Sequence, residues 1–363
     1  MTTRYTRLLL SLISLTFLSV QNPTGVTTLQ TCVNNGAFAV FPFEEFVLAL
    51  DNGSVRGEGT IITQDGNLLA TIEVYKPDPC RLLTGTTDIS QEKELFFDGN
   101  LAVLSSQGQQ CYYHWLLQIL PRLKILTEAA FPYDKIYLSS SNFSYRWQQE
   151  SLYAVMEHLQ IPRDRLLLVD EGTIVTAKTL LVPSVLWTPS KPAFHTCDLT
   201  WFKQFFYDVF VKTSSEALPK RIYISRSKAQ YRRISNESEL IECLDKRGFA
   251  VLHLEDLSIY DQAALFHNAD TVVGPHGAGF TNLIFCKPGT HIIEIDHGVQ
   301  GEEQRSSYKG MAKRLGCIYH PMYVDLLEET DAPEDIHAPI NQDMVLDMQA
   351  FLLVLDLAAD NAS

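Results

Sequence analysis

The chain has 363 residues, of which 46% are hydrophobic and 20% charged, and a formal net charge of −14. That length accommodates two domains of ordinary size, and the hydrophobic share excludes a disordered or fibrous chain. The acidic balance offers no positive field to attract a phosphate polymer, so no nucleic-acid partner is expected and any cationic site must be local. Seven cysteines are scattered without a C-x-x-C pair, which suits mostly reduced, buried thiols rather than a zinc knuckle or a thioredoxin-type motif.

At the N-terminus, Arg4 and Arg7 precede an apolar run from Leu8 to Val20. The pattern resembles the basic and apolar parts of a signal peptide and is short for a membrane span. Residues 1–22 are therefore set apart as a signal-like or anchor-like segment, with membrane association through residues 8–20 and an amphipathic leading helix both left open. Sequons at Asn52, Asn142, Asn236 and Asn361 permit a lumenal location without requiring one. Cytoplasm or membrane in a bacterium, and the ER or Golgi lumen in a eukaryote, all stay open.

Residues 23–95 read as a small antiparallel lead-in layer. Strands are expected at Phe46–Leu50, Gly59–Thr63 and Asn67–Tyr75, with turns at Asp51-Asn52-Gly53 and Asp65-Gly66. Residues 96–200 alternate strand and helix: Leu101–Leu104, a helix from Tyr112 to Leu126 kinked or restarted at Pro121, Lys135–Leu138, a helix from Trp147 to Leu159, then Arg165–Val169 and Thr179–Val182. After a bridging helix near Leu199–Lys212, residues 201–330 repeat the alternation. It runs Arg221–Ile224, helix Glu237–Arg247, Ala250–Leu254, helix Ser258–Asn268, Thr271–Val273, a helix after Asn282, His291–Ile295, helix Tyr308–Leu315 and Cys317–His320. Two such series predict two mostly parallel sheets. In residues 331–363 an acidic linker precedes a helix over Asn341–Leu357. Its Met344, Met348, Phe351, Leu352 and Leu355 form one apolar face, expected to cross back to the first domain.

The stretch Thr271-Val-Val-Gly-Pro-His-Gly-Ala-Gly-Phe-Thr-Asn282 carries the most chemistry. A buried strand runs into a Gly-rich turn and a helix start. Glycines 274, 277 and 279 allow tight bending and close approach of a ligand to main-chain N–H groups, and the following helix offers the positive end of its dipole. The bottom-up reading is an anion seat for a nucleotide diphosphate, and an ordinary βα turn with a buried histidine is the alternative. The segment is neither the dinucleotide fingerprint nor a P-loop. Arg221, Arg226, Arg232 and Arg233 make a local cationic cluster in an otherwise acidic chain.

Three segments occur in order: Cys111-Tyr-Tyr-His-Trp-Leu-Leu-Gln-Ile-Leu-Pro-Arg122; Arg221-Ile-Tyr-Ile-Ser-Arg-Ser with Arg232-Arg-Ile-Ser-Asn-Glu237; and Leu254-Glu-Asp-Leu-Ser258 leading to the Gly-Pro-His-Gly-Ala-Gly turn. Together they resemble glycosyltransferase family 61, over about residues 45 to 325. The resemblance implies a GT-B-like fold, in which two Rossmann-like doubly wound domains face a cleft. It implies inverting, metal-independent transfer from a nucleotide sugar, usually a UDP-sugar, to a hydroxyl of a glycan, lipid or protein acceptor. No cofactor and no metal site are expected. The chain also has no Asp-x-Asp triplet; Glu294-Ile-Asp296 comes closest and reads as structural at a strand end.

On that basis the developing charge of the leaving diphosphate falls to cations and amide groups. Arg226, with Ser225 beside it, is the first candidate because a guanidinium grips two oxygens. Arg232 and Arg233 follow, and Pro275, His276, Gly277, Ala278, Gly279 and Asn282 complete the donor site. His114 is a catalytic candidate whose family counterpart faces the cleft. Many relatives carry an acid four positions later, where this chain has Gln118, so the general base passes to His114, Glu255 or Asp261. Glu255 serves alternatively as a ribose ligand. The second functional reading is an inactive family member that binds nucleotide sugar or glycan. A sugar-nucleotide epimerase, the third, predicts no separate acceptor.

Overall fold

The computed structural model describes residues 15–22, 25–32, 47–64, 66, 68–69, 92–129, 131–141, 143–183, 199–212, 217–296, 306–326 and 342–360. The protein is mixed α/β and divides into two units. One comprises residues 1–110, 114–145 and 155–196, the other residues 111–113, 146–154 and 197–363.

In the first unit, strands β1 (Leu15–Asn22), β2 (Gly25–Cys32), β3 (Val47–Asp51), β4 (Ser54–Arg56), β5 (Thr60–Ile62), β6 (Leu68–Leu69), β7 (Lys93–Val103), β8 (Lys135–Ser139), β9 (Leu166–Val169) and β10 (Thr173–Pro183) share one ten-stranded sheet. β10, β7, β8 and β9 pair in parallel. The antiparallel lead-in strands continue this sheet, with β3 and β4 pairing antiparallel with the opposite edge of β10. The Asp51-Asn52-Gly53 signal does not close a hairpin. Asn52 adopts φ 50° and kinks one strand, while Thr179↔Asp51 and Thr176↔Ser54 keep the same register on either side. β10 holds the kink directly: Asn52 N–H donates to Lys178 O (3.1 Å) and Ala177 N–H to Gly53 O (2.9 Å). The core beneath includes Leu50, Val55, Leu101, Val103, Tyr137, Val175 and Leu180. Residues 15–20 of the N-terminal apolar run lie in β1, paired with β2. Residues 8–14 and the expected strand beyond Leu69 lie outside the described residues.

Between β7 and β9 the chain forms α1 (Tyr112–His114), a π-helical turn over Trp115–Ile119, α2 (Pro121–Glu128) and α3 (Arg146–His158), of which residues 112–113 and 146–154 belong to the second unit. Proline lacks an N–H and its ring collides with the carbonyl four residues back. The chain widens before Pro121, with Leu120 N–H bonding Trp115 O (2.9 Å), and Pro121 then opens α2 at its tolerated first turn.

The second unit contains α4 (Leu199–Phe210), β11 (Arg221–Ile224), α5 (Glu237–Asp245), β12 (Ala250–Leu252), α6 (Ile259–Asn268), β13 (Thr271–Pro275), a 3₁₀ segment over Ala278–Phe285, β14 (His291–Asp296), α7 (Ser306–Arg314), β15 (Ile318–Tyr323), β16 (Asp325–Leu326), β17 (Met344–Val345) and α8 (Met348–Asp360). Five strands form a parallel sheet in the order β12-β11-β13-β14-β15. The chain leaves β11 toward β12, then returns to β13 on the other side. The strand order therefore reverses between β11 and β13, the crevice where open α/β sheets bind ligands. Ser258 opens α6 with a complete capping box to Asp261, which accounts for that helix start.

Two expectations need correction here. The segment after the Gly-rich turn is 3₁₀ rather than α-helical, since Gly279, Thr281 and Asn282 are weak α-formers packed into eight residues before Lys287-Pro288. The C-terminal helix does not cross to the first unit. Phe351, Leu355 and Ala358 of α8, with Met344 and Leu346 before it, enter the core of Tyr223, Leu240, Leu244, Val273 and Ile293 in the second unit. Asn236 anchors that return, its side chain donating to Leu346 O (2.9 Å) and accepting from Leu346 N–H (3.0 Å), so this sequon is spent inside the fold.

Among the described residues no helix is long and apolar enough to cross a membrane. Phe351→Ala should destabilise the second unit by about 3–5 kcal/mol, and deletion of residues 342–363 should unfold it, both read by denaturant melts. Burial also holds the stacked His291 and His320 rings (Nδ1 to Nε2 3.1 Å) below the ordinary histidine range, His320 further lowered by His291. Depressed folded-state values mean that the unfolded chain binds more protons in weak acid. Their contribution is complete above the unfolded value of about 6.5 and is lost as pH falls through the folded values. Urea midpoints should therefore drop between about pH 7.5 and pH 5, and His320→Gln should flatten that dependence.

Candidate anion-binding site

Register places the central residues. β11 and β13 pair Tyr223 with Val273, so the chain leaves their adjacent C-terminal ends as Ser225-Arg226 and His276-Gly277. The three glycines of the turn matter for close approach, not for left-handed backbone; at Gly277 φ is 169°, ordinary extended chain. A Cβ on Gly274 would lie 2.9 Å from Ile224 Cβ, and one on Gly279 2.8 Å from Leu254 Cδ1. At Gly277 a Cβ would run into the Arg226 guanidinium. The turn thus lies directly on the end of β11, with Arg226 seated against its backbone.

Arg226 donates from Nε and Nη2 to Tyr231 O (3.3 and 3.0 Å). Arg232, at φ 58°, donates to His276 O (3.3 Å), and its buried Nε has no partner. Both guanidinium groups face the Tyr231 ring, at 5.6 and 5.0 Å. Burial first, and then the neighbouring Arg232, pull Arg226 down to about 10, against the pull of Tyr231, Glu255 and Tyr308. It stays cationic at neutral pH. Among the described residues neither arginine makes an ion pair with a carboxylate. Two close guanidinium groups held by carbonyl oxygens alone form a site with a deficit of negative charge, suited to a multivalent anion.

His276 stands next to them. Its Nδ1 lies 2.6 Å from Glu294 Oε1, its main-chain N–H donates to Ile295 O (2.8 Å), and its ring lies 5.4 Å from that of Tyr308. Tyr308 also packs on Tyr113 and Phe280, and burial pushes its hydroxyl well above the ordinary range. Glu255 is exposed in the turn after β12, the neighbour of β11, and its charge attracts Arg226.

Other sequence-predicted residues take supporting places. Ser225 is buried and its hydroxyl bonds Ser227 (3.1 Å to Oγ, 3.2 Å from N–H), so it shapes the turn. Pro275 ends β13 in register with Ile295, and Ala278 opens the 3₁₀ segment. Asn282 is fully buried and committed at both ends of its amide, accepting from Tyr112 (2.7 Å) and donating to Gln262 (2.9 Å). Asp261 is spent in the capping box. Arg233 is separated from the cation pair, because its Nε and Nη2 grip Asp343 (2.8 and 2.7 Å). Arg221 donates to Arg247 O at the surface.

In the first unit His114 is 5% exposed, pressed by Gly108, with Nδ1 2.8 Å from Gln118 Oε1. Burial lowers its proton affinity more than Gln118 restores it, so the ring is neutral at pH 7. Arg122 is completely buried, with no carboxylate partner among the described residues. It donates to Leu104 O (3.0 Å), Ser105 O (2.7 Å) and Pro183 O (3.1 Å), tying together the exits of β7 and β10, and burial lowers it to about 9. Sequence reasoning missed Arg122, Tyr308 and the full role of Glu294. Only a cation inside an apolar run and an acid inside a β-strand could have flagged two of them. Cys111, Cys243, Cys286 and Cys317 are free thiols. Among the described residues no group of three or more His, Cys, Asp or Glu side chains is placed to hold a metal.

Loss of the Arg233–Asp343 clamp in Arg233→Ala should lower unfolding stability by on the order of 1 kcal/mol, since the pair is partly exposed. Urea melts check this.

EGF domain-specific O-linked N-acetylglucosamine transferase of Drosophila melanogaster is 34% identical over 100 residues, 27% of this chain and 18% of that protein. Beta-1,2-xylosyltransferase of Arabidopsis thaliana is 35% identical over 71 residues, 20% of this chain and 13% of that protein. The chain thus spans less than a fifth of either relative's length. A solved structure of the heptosyltransferase TibC aligns over 96% of this chain and 92% of its own at 9% identity and a TM-score of 0.33, too remote to bear on the fold. The sequence profile of glycosyltransferase 61 matches residues 112–293, half of the chain, including β11, the paired arginines and the Gly-rich turn. The chain belongs to the glycosyltransferase 61 family.

Proposed function

We propose that the protein is an inverting glycosyltransferase of GT-B type that takes its sugar from a nucleoside diphosphate donor, with a UDP-sugar the first choice. The acceptor is a hydroxyl of a glycan, lipid or protein. The observation that carries this reading is the Arg226–Arg232 pair, which makes no ion pair with a carboxylate among the described residues and sits on the turn at the strand-order reversal.

Departure of the diphosphate concentrates negative charge on its terminal oxygens. Groups already fixed around that position stabilise it without reorganising. Arg226 and Arg232 supply two cations there, so the chain's own residues furnish the charge for a metal-independent reaction. The opening N–H groups of the 3₁₀ segment, which have no partner within their own helix, add donors. Glu255 follows the second strand of the unit, where an acidic side chain can accept from ribose hydroxyls in nucleotide-binding sheets. Inversion requires a base on the acceptor hydroxyl. His114, neutral and able to accept a proton, has that role in this proposal.

One observation favours the second reading, a family member that binds a sugar nucleotide without turnover. His114 Nδ1 lies against the side-chain amide of Gln118, and burial lowers the proton affinity of the ring, which disfavours the imidazolium formed during catalysis. Titration calorimetry with uridine diphosphate tests the site. Arg226→Ala should cost about 2 kcal/mol of binding, and Arg226→Lys should also lose affinity because a point charge cannot form the fork. Unchanged affinity in both removes Arg226 from the site. Donor hydrolysis and transfer across an acceptor panel separate the enzyme from the binding protein.

A further inference from the structure

Glu294 is the most deeply buried carboxylate near the anion site, at 1% exposure in the middle strands of the sheet. A buried carboxylate is costly unless its oxygens are satisfied. Both oxygens of Glu294 are engaged, and by different elements. Tyr319 of β15 donates its hydroxyl to Oε2 at 2.6 Å, and Nδ1 of His276, just past β13, lies 2.6 Å from Oε1. Burial, with Glu294 beside it, pushes Tyr319 far above its ordinary range, so the phenol keeps its proton and donates. The main chain of His276 is fixed to the same strand through Ile295 O (2.8 Å). The imidazole is therefore held from two sides by β14, with one ring nitrogen committed to a carboxylate oxygen.

We propose that Glu294, supported by Tyr319, is a positioning residue. By accepting from Nδ1–H it fixes the ring orientation of His276, so that Nε2 is the nitrogen left for an anionic ligand beside Arg226 and Arg232; Nε2 donates to such a ligand only when it too carries a proton, so the ligand-bound ring bears both protons beside the Glu294 carboxylate. A carboxylate oxygen only accepts, so the proton between the two groups resides on Nδ1. Which nitrogen of a histidine serves a ligand is set by the hydrogen bond the other makes. No atom is transferred in this arrangement. Its effect is to remove one of two ring orientations before the ligand arrives. The inference rests on the reading of this site as an anion seat, but its first test does not.

The experiment is ¹H–¹⁵N correlation of histidine-labelled full-length protein, with His276 assigned by His276→Gln. In the wild type the proton should sit on Nδ1, or on both nitrogens, with no population carrying it on Nε2 alone. Glu294→Gln should create a mixed tautomer population and weaken uridine diphosphate binding by about tenfold. Tyr319→Phe leaves the carboxylate in place and should give a smaller shift in the same direction, which keeps the test available should Glu294→Gln fold poorly. A wild-type ring protonated on Nε2 alone overturns the proposal, as does a tautomer unchanged in both variants. A ring protonated on Nδ1 whose resonances ignore added uridine diphosphate upholds the positioning role and removes the nucleotide from the site.

Discussion

The close approach of the Gly274–Gly279 turn to the end of β11 is the constraint on which the candidate site depends. Three positions with no side chain let one loop lie on Ile224, Leu254 and the Arg226 guanidinium at once. Any Cβ at Gly277 would displace Arg226, and with it the alignment of two cations around one backbone. The glycines are not there to bend the chain, because none of the three requires a left-handed conformation. They permit contact, and that contact converts an ordinary βα connection into a place where charge can be balanced.

The surrounding sheet makes this possible. Five parallel strands, of which β13 and β14 are buried throughout, put the ends of β11 and β13 side by side and leave the reversal of strand order between them. β14 contributes a second layer of control through Glu294, whose carboxylate links β15 to the turn. The C-terminal residues close the opposite side of the same unit, with Phe351 and Leu355 in its core and Asp343 holding Arg233 away from the pair. Positive charge at the site is thus a matter of selection. Of four nearby arginines, one is neutralised by Asp343, one bonds a surface carbonyl, and two make no ion pair with a carboxylate among the described residues.

The first unit solves a different electrostatic problem. Arg122 is buried with no carboxylate partner among the described residues; three carbonyl oxygens at the exits of β7 and β10 accept from its Nη atoms, while its Nε has no partner. The π turn before Pro121 is the local adjustment that delivers Arg122 to that position while starting a new helix. His114, in the turn before it, is neutral through burial, a state suited to accepting a proton and poorly suited to binding an anion.

Much of this was legible in the residue order. Periodicity and turn chemistry located nearly every strand and helix of the second unit, because a fully buried parallel strand reads as a short apolar run and Ser258-x-x-Asp261 caps a helix by local bonds alone. The motif Gly-Pro-His-Gly-Ala-Gly, with Arg226 and Arg232 upstream, was enough to mark the family. Tertiary structure decided what local patterns cannot encode. Asn52-Gly53 reads as a hairpin, yet it kinks a single strand because β10 supplies hydrogen bonds on both sides of it. Arg232 and Arg233 are adjacent and chemically identical, and only the return of Asp343 from 110 positions away distinguishes them. The apolar face of α8 showed that the helix must pack, but not on which sheet. Glu294 looked like the end of a strand until β13 and β15 brought a histidine and a tyrosine to its two oxygens. Local chemistry sets what each segment can form; partners distant in sequence determine which charges are cancelled and which remain for a ligand.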